Sequence, residues 1–352
     1  MGRYSKRGRV DWVDIAKGIG ILLVVYGHAM GPGMKYVYLF HLPMFMMLSG
    51  FVYNPNQSFG TWLWKKFTTI YIPFAGWNFI VIMIRIAYAI DQGVWENVAE
   101  GRLNILWTMF LCINKEDQYL GATWYLGALF LISVIYKLVD MIVPKFKYRQ
   151  IVILAFFGGW AVYAFCNTLP YNQSRSVILA FFYAFGRLLR LHERELERYK
   201  GLSLAFLLYG ACWVFGQFTS VSMATNEYSN IPLFVLCAFL GSFSMITLAR
   251  WLADRKRPFW EIFAAPLRLM GKNTMDILIW HFVAFRFVVI WQLLQEGRPW
   301  IDVFTVDSRY NTEGWWWAVY LVAGIVLSLL WGWVLRHGPW GWVLKKLCLV
   351  RK

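Results

Sequence analysis

The strongest constraint on this chain is a ladder of apolar stretches divided by short charged loops. Ten stretches, 12–30, 36–53, 67–90, 119–139, 151–169, 174–191, 201–218, 231–252, 274–294 and 315–335, read as apolar segments. Each is near the roughly 20 residues that a helix needs to cross a hydrocarbon core about 30 Å thick. Inside that core every backbone N–H and C=O must be satisfied within the chain, so unbroken helices are the available solution. Hydrophobic residues are 59% of 352 and charged residues only 15%, well away from the composition of a soluble domain. The fold class expected is an all-α polytopic membrane protein with about ten transmembrane helices. It is expected to be one domain over 1–352, with basic tails at 1–11 and 336–352. An apolar run within the loop 91–118, at 103–113, is too short to span and is expected to be re-entrant or interfacial.

Ten crossings put both termini on one side. Counted over the loops and tails, 24 Lys and Arg fall on that side and 6 on the other. The side rich in Lys and Arg is the cytoplasmic one, which gives N-in, C-in. The same bias accounts for the net charge of +16, so nucleic acid is not an expected partner. The 21 Trp and 19 Tyr are enough for aromatic belts at both interfaces. The five Cys are scattered without a CxxC pair and read as free thiols, with no metal site. The basic start resembles a signal peptide, but the first apolar segment carries Lys17 and lacks a small-residue cleavage site, so it reads as a retained span.

Several polar residues lie where a bilayer makes them costly, and such residues are functional candidates by default. The first segment holds Asp14, Lys17 and His28, and the second holds His41, Pro43 and Ser49. Lys17 and His28 are eleven residues apart. At about 100° per residue they share one helix face, roughly 16 Å apart along the axis. Asp14 precedes Lys17 by three positions, the spacing of a helical ion pair. The turn between the first two segments is short, so His28 and His41 are expected near one another toward the outer face. His281 lies about mid-span in 274–294, preceded by Asn273 and Asp276, and Arg85 and Arg286 fall in outer halves of their spans. The bland alternatives are a snorkelling interface lysine for Lys17, a span-ending residue for His28, and an aromatic belt for Trp124 and Tyr125. Histidine is suited to proton transfer near neutral pH. No Ser-His-Asp pattern, Gly-rich phosphate loop or HExxH accompanies these residues, and the Gly pairs are weak packing signals.

With these residues in view, the chain resembles the acyltransferase-3 family of integral membrane acyltransferases, and within it the branch named for fucose 4-O-acetylase. The basic residue followed eleven positions later by His is met by Lys17 and His28 in WVDIAKGIGILLVVYGH. The second pattern is met by FHLPMFMMLSGF, with His41, Pro43, Phe45, Ser49, Gly50 and Phe51. KKFTTIYIPF, WYLGALF from Trp124, and GKNTMDILIWHF resemble three further family blocks. The resemblance covers nearly the whole chain. It implies transfer of an acyl group, usually acetyl from cytoplasmic acetyl-CoA, to a sugar hydroxyl of a surface polysaccharide or lipid-linked precursor. It implies the stand-alone form, without a fused C-terminal domain.

On that reading His28 is the general base, Asp14 fixes Lys17, and His41 or Asn273 orients His28 or the acceptor. The nucleotide phosphates of acetyl-CoA would rest near Lys17, Arg257 and Lys272, drawn by the cationic inner loops. Arg85, Trp124, Tyr125, Asn273 and His281 are the acceptor-binding candidates. Expected partners are the lipid bilayer and a carbohydrate acceptor, with polysaccharide-assembly proteins as candidates, in a bacterial inner membrane. The alternative is an exporter of polysaccharide or lipid-linked sugar, with the buried His and Arg on its substrate or proton path. The sequence shows no repeated half that would favour it.

Overall fold

The computed structural model describes residues 10–91, 120–169, 173–255 and 257–351, apart from the side chains of 85 and 89. In chain order the helices are α1 (Asp11–His28), α2 (Met34–Tyr38), α3 (His41–Phe51), α4 (Phe59–Lys66), α5 (Ile72–Asp91), α6 (Trp124–Ile142), α7 (Arg149–Cys166) and α8 (Gln173–Leu191). They continue with α9 (Glu193–Leu196), α10 (Leu202–Phe215), α11 (Ile231–Ala253), α12 (Pro258–Lys272), α13 (Thr274–Gln295), α14 (Trp316–His337) and α15 (Gly341–Lys346). Among the described residues the strands are one short antiparallel pair, Val221–Ser222 with Glu227–Tyr228. The chain forms two compact units: Met1–Val52 with Phe185–Met275, and Tyr53–Ala184 with Asp276–Lys352.

Six helical stretches among the described residues are long and apolar enough to cross a membrane: Phe59–Tyr88, Gly121–Ile142, Arg149–Cys166, Ile231–Ala253, Thr274–Gln295 and Trp316–His337. The protein is thus a helical multi-pass membrane protein. The other four expected spans differ for physical reasons. α1 and α8 have the length but carry several charges, among them Asp14 and Lys17 in α1 and Arg175, Arg187 and Arg190 in α8. α10 has 14 residues, about 21 Å of helix. The segment expected at 36–53 is broken at Leu39 and Phe40, leaving α3 with 11 residues, about 16 Å. Pro43 causes this break: it has no N–H to give the Leu39 carbonyl and fits only the first turn of a new helix. The expected re-entrant helix at 103–113 lies outside the described residues.

The first unit is centred on α1. α1 and α12 pack with their backbones touching. A Cβ on Gly18 would lie 1.9 Å from the Leu267 carbonyl oxygen, and one on Gly271 would lie 1.8 Å from the Asp14 carbonyl oxygen. Ile15, Ile19, Met44, Leu48, Ala249 and Ala264 fill the seam beside them. Arg268 of α12 bridges to Asp11 at 2.7 Å and to Glu261 at 2.7 Å. Its hydrogen bond holds the Glu261 carboxyl below the usual carboxylate range. The residues of α12 read from the sequence as part of a basic loop. They form a helix because Pro258 is tolerated in the first turn and the apolar side can bury against α1, despite the interior Pro266.

In the second unit, a π-helical turn at Phe67–Tyr71 precedes α5. The wider turn absorbs the bond that Pro73 cannot make. Asp140, expected in a loop, is buried on α6 and accepts from the Tyr53 hydroxyl at 2.8 Å while bridging to Arg149 at 2.8 Å. Lys137 on the same helix is buried and donates to the carbonyls of Pro55 (3.1 Å) and Gln57 (2.9 Å), which fixes the turn before α4.

Asp276 at the start of α13 pairs with Arg336 at the end of α14, with both side chains largely buried. Removing one partner leaves a buried charge. Arg336→Ala is therefore expected to destabilise the protein by roughly 3–5 kcal/mol, and the double variant with Asp276→Ala by clearly less. Thermal unfolding of the three variants in detergent checks this; equal losses for the single and double variants would contradict it.

Candidate active site

The candidate residues divide between the two units. Asp14, Lys17, His28, His41, Arg257, Lys272 and Asn273 lie in the first. Arg85, Trp124, Tyr125 and His281 lie in the second.

In the first unit α1 is unbroken from Asp11 to His28, so Lys17 and His28 do occupy one helix, with His28 as its last residue. Beyond it the chain turns through Gly33, whose φ of 74° suits glycine, and enters α2. Tyr38 closes this hairpin. Its hydroxyl donates to the carbonyl of Gly27, the neighbour of His28, at 2.7 Å. Its ring lies 5.5 Å from the His41 imidazole. One side chain thus reaches both the end of α1 and the His41 ring at the start of α3. His41 is buried, and its Nδ1 is 2.8 Å from the Val37 carbonyl oxygen. A carbonyl can only accept, so Nδ1 carries the hydrogen; in a neutral ring Nε2 would then hold the lone pair.

At the other end of α1, the contact of Gly271 with Asp14 places the last turn of α12, with Lys272, beside the turn that carries Lys17. Asp14 is buried. Asn273 ends α12, its amide donating to the Leu269 carbonyl at 2.8 Å. Arg257 precedes the first turn of α12, so it stands about 22 Å from Lys272 along that helix. The backbone contact sets the turns that carry Lys17 and Lys272 side by side, with Arg257 at the other end of α12.

In the second unit His281 is fully buried between the rings of Phe282 and Phe285, at 4.5 and 5.7 Å. Its Nδ1 donates to the Ile277 carbonyl oxygen at 2.9 Å. Thr123 fastens the start of α6 by donating to Leu120 and accepting from the Asn78 amide at 2.9 Å, and this positions Trp124 and Tyr125. Arg175, the second residue of the segment 174–191, counts among the outer-side cations in the sequence. It is buried, its guanidinium 4.1 Å from the Trp124 ring centroid, an arrangement the ring quadrupole stabilises. Arg286, a candidate for chemistry, donates to the carbonyls of Val303 and Val306 at 2.7 Å each and so clamps the loop after α13. The side chain of Arg85 lies outside the described residues. Tyr38 and Arg175 had no signal in the sequence beyond their types, because each acts through a neighbour chosen by packing.

A helix carrying a cation at one level and an imidazole at its end, with a second imidazole tied beside that end, can hold an anionic donor and move a proton. The acyltransferase-domain family Acyl_transf_3 matches residues 10–337. The chain belongs to the acyltransferase-3 family. It is therefore an acyltransferase, and the exporter alternative falls away. This acyltransferase is similar to the nodulation protein NolL of Sinorhizobium fredii (strain NBRC 101917 / NGR234), with 22% identity over 324 residues, covering 82% of this chain and 80% of NolL. No solved structure matches the acyltransferase.

Proposed function

We propose that this acyltransferase moves an acetyl group from cytoplasmic acetyl-CoA to a sugar hydroxyl of a surface polysaccharide or lipid-linked precursor. The protein would sit in a bacterial inner membrane with ten crossings and both termini cytoplasmic, close to the fucose 4-O-acetylase branch of its family. That count requires α1, the broken pair α2 and α3, α8 and α10 to cross along with the six longer helices.

The observation that carries the reading is the arrangement along α1. The turn with Lys17 lies against the Lys272 end of α12, and His28 ends the same helix roughly 16 Å away. Lys17 and Lys272 would hold donor phosphates, and the pantetheine arm would run along α1 toward His28. His28 would take the proton of the acceptor hydroxyl as its oxygen attacks the thioester carbonyl. The new C–O bond forms, the C–S bond breaks, and the CoA thiolate leaves and recovers a proton from the imidazolium. His41 and Asp14 would position His28 and Lys17. Trp124, Tyr125 and Arg85 are the proposed acceptor-binding residues.

The test is incubation of purified protein with acetyl-CoA labelled in the acetyl group, plus a crude lipid-linked sugar fraction. Label in the sugar fraction and stoichiometric free CoA are expected. If the protein neither binds nor consumes acetyl-CoA with that fraction present, the acetyl donor is wrong. Lys17→Gln is expected to raise KM for acetyl-CoA with a smaller effect on kcat, the sign of lost ground-state binding, and Lys17→Arg to retain most affinity. An unchanged KM in Lys17→Gln would remove the phosphate role.

A further inference from the structure

The first unit holds a cavity of about 300 Å³ that the acyl-transfer reading does not use. It is a partly open slot lined by α1, α3, α8, α9, α10 and α11, and its walls are almost wholly apolar, with Leu204, Leu236, Leu240 and Phe243 among them. It follows α11 from Leu236 to Arg250, 14 residues and so about 21 Å. That is somewhat more than one leaflet's share of a roughly 30 Å hydrocarbon core. The volume is at the low end of the roughly 300–1,000 Å³ of small-molecule sites, so the space is long and thin.

Arg250 stands at one end of it. It is 6% exposed, and its guanidinium lies 4.4 Å from the ring centroid of Trp12. Its Nε has no hydrogen-bond partner among the described residues. Glu193, Glu197 and Asp254 act on it at a distance, but Glu193 is bridged to Arg190 at 3.0 Å and Asp254 to Lys200. A buried guanidinium with a donor unspent is costly unless an anion completes it. Thr247, buried one turn before it on the same lining, adds a hydroxyl.

We infer that this slot binds an anionic phospholipid of the surrounding membrane, with one acyl chain along α11 and the phosphate on Arg250. The lining supplies one cation and a hydrocarbon channel, which matches a singly charged amphiphile. It does not match a nucleotide, which needs several polar partners. The inference stands apart from the acetyl-transfer reading.

Native mass spectrometry of the purified full chain tests it, with phosphatidylglycerol and phosphatidylcholine of identical chains offered together. Wild type is expected to retain phosphatidylglycerol adducts about tenfold more than phosphatidylcholine, the scale of one charge-assisted hydrogen bond. Arg250→Gln is expected to lose that preference and Arg250→Lys to keep part of it. Leu240→Trp, which fills the slot and leaves Arg250 in place, is expected to lose adducts of both lipids. Size-exclusion profiles and thermal transitions establish that each variant is folded. Equal retention of the two lipids by wild type overturns the inference, as does a preference that survives both Arg250→Gln and Leu240→Trp. Displacement of phosphatidylglycerol by a long-chain acyl-CoA at equal concentration also overturns it, because the slot would then belong to the donor.

Discussion

His28→Ala is expected to lower turnover by about 10²- to 10⁴-fold, the contribution of a positioned general base. The protein should still fold and still bind acetyl-CoA. His28 is the last residue of α1, and the bonds that shape this end come from elsewhere. Tyr38 grips the Gly27 carbonyl, and the Ala29 amide closes the helix on the Val25 carbonyl at 2.8 Å. These backbone bonds do not depend on the imidazole, so the hairpin is expected to survive its removal. The measurement is labelled acetyl transfer by His28→Ala and His41→Ala beside wild type, with thermal unfolding as the control. His41 donates to Val37 across the break between α2 and α3, so His41→Ala should lose stability along with activity. Turnover near wild type in a folded His28→Ala would move the base to another residue, with the Nε2 of His41 the next candidate.

Gly271→Val and Gly18→Val are expected to cost at least about 3 kcal/mol each, the upper end of overpacking. Most small-to-large changes are absorbed by a neighbouring side chain that moves. Here the atoms in the way are carbonyl groups of the partner helix, 1.8 Å from a Cβ at Gly271 and 1.9 Å from one at Gly18. Relief requires α1 and α12 to part, which opens the seam lined by Ile15, Ile19 and Ala264 and moves the Lys272 end of α12 off α1. Even alanine at these positions should be harmful. Gly159→Ala, where nothing lies within 4 Å of the added Cβ, should be neutral or stabilising by a few tenths of a kcal/mol, since alanine is the better helix former. Unfolding temperature and loss of acetyl-CoA binding read the effect. Wild-type stability in Gly271→Val would show that the two helices are not packed backbone to backbone.

Much of this protein is written in its sequence, for a definite reason. Apolar length and loop charge act residue by residue through transfer into a bilayer, and that transfer needs no partner. The all-helical class, six of the expected spans and the unbroken helix joining Lys17 to His28 were legible on that basis, while the patterns around His28 and His41 were legible as a family resemblance. The break at Pro43 was also chemically present, but it is hidden within an apolar run that hydropathy reads as continuous.

The tertiary structure decided what depends on a partner. α12 reads as a basic loop because it is short, charged and interrupted by Pro266, and it becomes a helix by packing on α1 through two glycines. Asp276 looks like a functional acid until Arg336 neutralises it, and Arg286 looks like a site residue until two loop carbonyls claim it. Arg175 and Arg250, near the ends of expected spans, acquire a role only when burial sets one on Trp124 and leaves the other with an unspent donor at the end of an apolar slot. A charged side chain in a membrane protein is costly wherever it is buried, so its type marks it as significant. Whether it serves the fold or the chemistry depends on which group packing places within hydrogen-bond reach.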